Sequence, residues 1–185
     1  MVVKIPPIVL TGGGQELAEL HVVQRFCLDS TEQYLAVDQS VFKLNAIIDR
    51  TPVFRYDYDR QARSKPSSHL QVHAHRGALS HLLSQAGHTK PHELAALHFP
   101  TGGARFRPCL EDVAEFLIRD FRLDARQGWE RAVHEGRERW RRLQLRATVR
   151  DMPRDAAEVL TGLGYQITRP ADGDPHDSAK ALHNW

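Results

Sequence analysis

Residues 53–60 have the sequence Val-Phe-Arg-Tyr-Asp-Tyr-Asp-Arg, and residues 69–75 have the sequence His-Leu-Gln-Val-His-Ala-His. In both stretches apolar or aromatic residues alternate with polar ones, which is typical of a β-strand with one buried face. The polar connection between them is short, so we expect the two strands to pair as antiparallel neighbours. Their polar side chains would then share one surface of a sheet.

Further strand patterns lie on both sides of this pair. Residues 41–48 also alternate, and Asp, Thr and Pro at positions 49–52 favour a turn before residue 53. On the other side, Gly102 and Gly103 separate two short alternating stretches between residues 97 and 107, which indicates a hairpin or wide turn. These segments predict an antiparallel β-meander of four to five strands.

After Pro108 the periodicity becomes helical. Apolar residues recur every three or four positions from Leu110 to Phe121, and the same spacing continues through residues 127–151. Pro153 is suited to open a third helix and Gly164 to close it. The predicted fold class is therefore α+β, with the meander packed against two or three C-terminal helices.

The chain length of 185 residues fits a single domain. We expect one α+β domain over residues 1–169, strand-rich over 15–108 and helical over 109–169. Residues 1–13 are marked by Pro and Gly and are interpreted as a lead-in and linker. Residues 170–185 are rich in Asp, Gly, Pro, His and Ser, which favours a flexible tail.

The composition excludes several classes of protein. No run of apolar residues is long enough to predict a membrane span, so no membrane partner is expected. The first ten residues are too short and too interrupted by Pro to predict a signal peptide. Cys27 and Cys109 cannot form a disulfide framework and lack the spacing of a zinc motif, so a reduced, cytoplasmic location is expected. Both cysteines are interpreted as small buried apolar residues.

Seven of the eleven histidines lie between His69 and His98, and this clustering suggests chemistry. The candidate catalytic residues are Asp57, His69, His73 and His75. A histidine can accept a proton near neutral pH, and a neighbouring carboxylate fixes its tautomer. Two alternatives remain open at this stage: a metal site of two histidines and one carboxylate, and an ordinary solvated strand.

A second group of residues suits the binding of phosphate. Guanidinium and ammonium groups bind phosphoryl oxygens, and a glycine-rich turn with flanking arginines can form a phosphate cradle. The alternative for that turn is a simple tight turn without a ligand. The candidate phosphate- or substrate-binding residues are Arg55, Lys43, His98, Arg105 and Arg107.

The long predicted helix carries a stripe of arginines. Of the 25 basic residues in the chain, 20 are Arg, and five of these fall within about 100° of one another around the helix axis. Such a stripe can bind a nucleic-acid backbone or an acidic protein, although nearby glutamates dilute it and many charged faces are only solvated. The candidate nucleic-acid- or partner-binding residues are Arg131, Arg139, Arg142, Arg146 and Arg150.

The segment Phe54-Arg55-Tyr56-Asp57, followed after a loop by a His-rich strand, resembles the TumE-like toxins of bacterial toxin–antitoxin pairs. Those are small α+β proteins with a similar Arg-Tyr-Asp strand, a His-rich segment and a helical end. The resemblance covers about residues 41–110. This chain differs in having its histidines at alternate positions and in its longer helical part and tail. The resemblance implies a helix-turn-helix antitoxin as partner.

The residues and the resemblance together favour a cytoplasmic bacterial toxin that acts on RNA or a nucleotide by acid–base phosphodiester chemistry. In this hypothesis the protein is a ribonuclease or another nucleotide-acting enzyme, and no cofactor is expected. One alternative is a metal-dependent enzyme in which His73, His75 and a carboxylate bind a divalent or transition metal. The other is a non-catalytic protein-interaction module that binds through the arginine-rich helix.

Overall fold

The computed structural model describes residues 1–29, 32–74, 77–85 and 87–183. Its described residues form one antiparallel sheet of seven strands with the spatial order β1-β3-β4-β5-β6-β7, and β2 pairs with β3 next to β1. The strands are β1 (Val2–Lys4), β2 (Ile8–Gly12), β3 (Gln15–Leu28), β4 (Leu35–Ala46), β5 (Pro52–Asp59), β6 (Ser68–Val72) and β7 (Phe99–Pro100). Consecutive strands from β3 to β6 are neighbours, as in a meander.

The helices follow mainly in the second half of the chain. Within the described residues they are α1 (Gly77–Gln85), α2 (Gly103–Phe106), α3 (Leu110–Arg119), α4 (Trp129–Asp151), α5 (Pro153–Gly162) and α6 (Ala179–His183), with a 3₁₀ helix at Leu94–Ala96. The predicted α+β class is confirmed, and the sheet packs with the C-terminal helices. The sheet has seven strands because three short ones, β1, β2 and β7, extend the predicted meander.

The core lies between one face of the sheet and helix α3. Leu20, Phe42, Leu44 and Phe54 alternate along β3, β4 and β5 and are almost fully buried. Val113 and other apolar residues of α3 pack against them. This alternation leaves the intervening polar residues on the opposite face, which we call the polar sheet face.

The N-terminal residues differ from the predicted linker. Residues 1–13 contain β1 and β2, because the long strand β3 offers an edge to which both can pair. Gly13 and Gly14 adopt φ angles of 60° and 80°, which glycine tolerates best. Their amides donate hydrogen bonds of 3.0 and 2.9 Å to the two carboxylate oxygens of Asp124. The amides of this glycine turn therefore bind a carboxylate of the same chain and not an external ligand.

Two other segments also differ in detail. The predicted hairpin between residues 97 and 107 consists of strand β7 followed by the short helix α2, because Gly102 turns the chain with a φ of 82°. The C-terminal segment contains helix α6, and the amide of Ser178 donates a hydrogen bond to the Asp151 carbonyl. The flexibility of residues 170–185 stays a prediction. Among the helices of the described residues, none has the length and apolarity needed to cross a membrane.

Candidate functional site

Two rows of side chains cross the polar sheet face. The register aligns one residue from each of β3, β4, β5 and β6 in the first row, namely His21, Lys43, Arg55 and Gln71. The second row, two positions along each strand, contains Val23, Val41, Asp57 and His69. The expected pairing of the Asp57 strand with the His69 strand is therefore present, with both side chains on the same face.

Asp57 and His69 form a nearly buried pair in the second row. The Asp57 side chain is 8% exposed and that of His69 is completely buried. The His69 Nε2 atom lies 3.8 Å from Asp57 Oδ2, and the Arg55 guanidinium donates a 2.8 Å hydrogen bond to the same oxygen. Arg55 therefore holds the carboxylate in place beside the imidazole.

The hydrogen bonds of His69 define its tautomer. Its Nδ1 atom lies 2.9 Å from the Pro66 carbonyl, which can only accept, so Nδ1 carries a proton. Burial lowers the pKa of His69, and the hydrogen bond to Pro66 opposes this only in part. The ring is therefore neutral at neutral pH, and its Nε2 lone pair faces the carboxylate.

Three buried polar atoms in this region have no hydrogen-bond partner among the described residues. They are Arg55 Nε, Asp57 Oδ1 and His69 Nε2. Buried polar atoms are nearly always paired in proteins, so unpaired atoms need an explanation. Arg55 Nε can donate a hydrogen bond, and Asp57 Oδ1 and His69 Nε2 can each accept one. A small polar group bound here can therefore pair with these atoms.

His98 joins this pair from a distant part of the chain. Its ring packs edge-on against that of His69, with 4.6 Å between the ring centroids. Gln71 donates a 2.8 Å hydrogen bond to the Ala95 carbonyl, and its Nε2 atom lies 3.4 Å from His98 Nε2. Burial lowers the pKa of His98, and the positive charge of Lys65 adds to the effect. The half-buried His98 is thus a second neutral imidazole, and we call the group the Asp57–His69–His98 cluster.

The other two predicted catalytic histidines are placed differently. The amide of His73 donates a hydrogen bond to the Val53 carbonyl, just beyond the end of β6. Four residues along a strand separate His73 from His69, a distance of about 13 Å. The structure therefore does not bring His73 to Asp57. His75 lies outside the described residues, and its predicted role stays a prediction.

A cationic groove adjoins the cluster on the polar sheet face. It has a volume of about 400 Å³. Its polar lining residues, among those described, are Lys4, His21, Arg25, Gln39, Lys43 and Arg55. Two carboxylates contact these lining residues: Asp57 Oδ2 lies 2.8 Å from Arg55 Nη2, and Glu19 Oε2 lies 3.4 Å from His21 Nε2. Four permanent cations beside the cluster attract an anionic ligand.

Lys4, His21 and Arg25 were not among the sequence candidates. His21 and Arg25 lie in residues 15–28, whose pattern suits a helix as well as a strand, so the sequence does not assign their faces. Lys4 lies in the segment that was interpreted as a linker. The pairing of β3 with β4 places His21 directly beside Lys43. The pairing of β1 with β3 places Lys4 opposite Val23.

The predicted phosphate-binding residues divide between the two faces of the sheet. Lys43 and Arg55 lie on the polar sheet face, whereas Arg107 packs over the rings of Tyr58 and Trp140 at 3.9 and 4.6 Å from their centroids. Tyr58 alternates with Asp57 along β5 and so points to the opposite face. Arg105 forms a 2.7 Å salt bridge with Asp151 at the end of α4. Arg55 and Arg105 therefore lie on opposite faces of the sheet, and their predicted role in binding phosphate stays a prediction.

The predicted arginine stripe of α4 also divides into two parts. Arg131 and Arg142 are exposed and pair with Glu135 and Glu138 of the same helix. Arg139, also exposed, lies near this first group. Arg146 and Arg150 face a cavity between the helix and the sheet. A contact of all five with one ligand surface stays a prediction.

Cys109 is buried as expected, whereas Cys27 is only half-buried, and Arg60 Nη1 donates a 3.2 Å hydrogen bond to its sulfur. Burial raises the pKa of the Cys109 thiol to about 12, so it is a poor nucleophile at neutral pH. No group of three His, Cys, Asp or Glu residues lies close enough together to hold a metal ion in the described ranges. The predicted two-histidine metal site includes His75 and is therefore not tested.

Comparisons of the chain with protein-family models, curated proteins and solved structures found no match. The polar sheet face therefore has to be interpreted from its own chemistry. It combines neutral imidazoles, a carboxylate held by Arg55, and a groove with several cations. These groups can bind a phosphoryl group and accept a proton near it.

Proposed function

We propose that the protein is the toxin of a bacterial toxin–antitoxin pair and acts on RNA or a nucleotide in the cytoplasm. The observation that carries this proposal is the position of the Asp57–His69–His98 cluster beside the cationic groove on one face of the sheet. Phosphodiester cleavage requires cations that bind the phosphate and a base that accepts a proton. The resemblance to TumE-like toxins supports the assignment as a toxin and implies a helix-turn-helix antitoxin.

Lys43 and Arg55 bind the phosphate in the proposed reaction, and His98 accepts the proton of the attacking hydroxyl. With RNA, the 2′-oxygen forms a bond to phosphorus while the bond from phosphorus to the 5′-oxygen breaks. The leaving 5′-oxygen takes the proton from the His98 imidazolium. The products are a 2′,3′-cyclic phosphate and a free 5′-hydroxyl, so atoms and protons balance.

The differing burial of the two imidazoles supports this division of roles. His98 is half-buried and so partly accessible to a ligand, whereas His69 is completely buried. His69 and Asp57 are therefore positioning residues that support the His98 ring from behind. Because burial lowers the pKa of His98, its ring is available as a neutral base at neutral pH.

Cleavage of total RNA by the purified protein tests the proposal. We expect activity in the presence of a metal chelator and a loss of about 100-fold or more in His98→Gln, the usual contribution of a general base. Lys43→Gln should lose about tenfold, because one charge-assisted contact to phosphate is removed. Arg141→Gln is the matched control, since Arg141 is exposed on α4 and is not among the candidate nucleic-acid-binding residues.

Three results would contradict the proposal. The first is a wild-type protein without activity on either RNA or nucleotides. The second is a His98→Gln variant that is folded and fully active. The third is loss of activity with the chelator and its recovery with added metal, which would instead favour the metal-dependent alternative.

A further inference from the structure

A second basic cavity lies on the side of the sheet opposite to the cationic groove. It is enclosed between strands β3, β4 and β5 and the C-terminal half of helix α4, with a volume of about 560 Å³. Cavities of this size accommodate small organic ligands. The arginines in its lining are Arg60, Arg105, Arg107, Arg146 and Arg150. We call it the arginine cavity.

The lining of the arginine cavity has an excess of positive charge. Its five arginines face only two carboxylates among the described lining residues, Asp29 and Asp151. Burial lowers the pKa of Arg107 to about 10, so this guanidinium is still charged at neutral pH. The excess is therefore three positive charges in a partly enclosed space, where an anion is attracted more strongly than at an open surface.

The internal contacts hold part of this charge in fixed positions. The Arg107 guanidinium lies between the Tyr58 and Trp140 rings and donates a hydrogen bond to the Ala104 carbonyl. Arg105 Nε donates a 2.7 Å hydrogen bond to Asp151 Oδ2, and Arg105 Nη2 lies 2.7 Å from the same oxygen. Arginines fixed in this way need little reorganisation to receive a ligand.

Other groups of the lining retain capacity for a ligand. Arg146 has no acidic partner within salt-bridge distance among the described residues. Arg150 contacts Asp29 only at 3.9 Å and lies over the Tyr34 ring at 4.5 Å from its centroid. The Gln144 Oε1 atom is buried and has no hydrogen-bond partner in the described part of the chain. It can accept a hydrogen bond from a ligand hydroxyl or amino group.

We propose that the arginine cavity binds the phosphate group of a small phosphorylated molecule of nucleotide size. A phosphate dianion neutralises most of the excess charge, and guanidinium groups bind its oxygens in a bidentate manner. This inference is independent of the proposed function, because the arginine cavity and the cationic groove lie on opposite faces of the sheet.

Calorimetric titration of the full chain with three probes tests this proposal. The probes are adenosine 5′-monophosphate, adenosine and inorganic phosphate, each up to millimolar concentration. We expect the monophosphate to bind, inorganic phosphate to compete with it, and adenosine not to bind. Tighter binding of the monophosphate than of inorganic phosphate supports a ligand of nucleotide size, and equal binding of the two would contradict it.

Variants show whether binding takes place in the arginine cavity. Arg146→Gln and Arg150→Gln should each weaken binding of the monophosphate by about tenfold or more, as expected for one charge-assisted hydrogen bond. Arg141→Gln, at an exposed position of the same helix, should bind like the wild type. Weaker binding in Lys43→Gln together with unchanged affinity in both cavity variants would place the monophosphate in the cationic groove instead. Absence of binding by both phosphate probes, equal binding of adenosine, or unchanged affinity in both cavity variants would overturn the proposal.

Discussion

His69 is completely buried, and its burial lowers the pKa of the ring below the usual value of 6.5. As the pH falls below 6.5, the unfolded chain takes up a proton at this position before the folded protein does. Stability is therefore lost with falling pH from 6.5 down to the pKa of the folded state. His98 contributes in the same direction, because burial lowers its pKa too.

We predict that His69→Gln flattens this pH dependence. The slope contributed by one histidine is at most about 1.4 kcal/mol per pH unit. Urea unfolding between pH 7 and pH 5 measures the slope, which does not depend on how far the substitution lowers stability overall. The control is His134→Gln at an exposed position of α4. An equal slope in His69→Gln and wild type would contradict the burial of a neutral His69.

At the scale of elements, helix α4 is joined to α3 by ion pairs. The Arg137 guanidinium lies 2.7 Å from Asp112 Oδ1 and 2.5 Å from Glu115 Oε2. Hydrogen bonds from Arg137 lower the pKa of Glu115. Burial acts to raise the pKa of Asp112, but hydrogen bonds from Cys109 and Arg137 outweigh it, and the pKa is lowered.

We predict that Arg137→Gln lowers the midpoint of thermal unfolding by about 3 °C at neutral pH. The ionised carboxylates of Asp112 and Glu115 stabilise the folded protein fully above their usual pKa values of 3.8 and 4.5. This stabilisation is lost as the pH falls from those values through the lowered pKa values of the folded state. The difference between variant and wild type should therefore shrink below about pH 4. Calorimetry at several pH values measures it, with Arg131→Gln as the control. A difference that is independent of pH would show that the ion pairs are not its cause.

The sequence allowed the elements that carry the cluster to be predicted, but only part of the cluster itself. Strict alternation in β5 and β6 indicated that Asp57 and His69 share a face, since the side-chain period of a strand is two. The position of His98 could not be predicted, because it depends on how the chain returns after the 3₁₀ helix to lie beside β6. The short strands β1 and β2 were missed because the long edge of β3, and not local propensity, stabilises them.

At the scale of the whole molecule, the sheet separates two basic regions. Lys43 and Arg55 line the cationic groove on the polar sheet face, whereas Arg105 and Arg107 line the arginine cavity under α4. All four were predicted from the sequence to bind phosphate. The residue types alone indicate that these side chains can bind phosphate. Their division into two sites could not be predicted, because it depends on which face of the sheet each element packs against.

Growth of bacteria that express the protein tests the central claim most directly, namely that the Asp57–His69–His98 cluster is the active centre of a toxin. We predict that wild type arrests growth and that His98→Gln, produced at the same level as folded protein, does not. His73→Gln is the matched control and should still arrest growth, because His73 lies about 13 Å along the strand from His69. Growth arrest by His98→Gln, or normal growth with the wild type, would contradict the account.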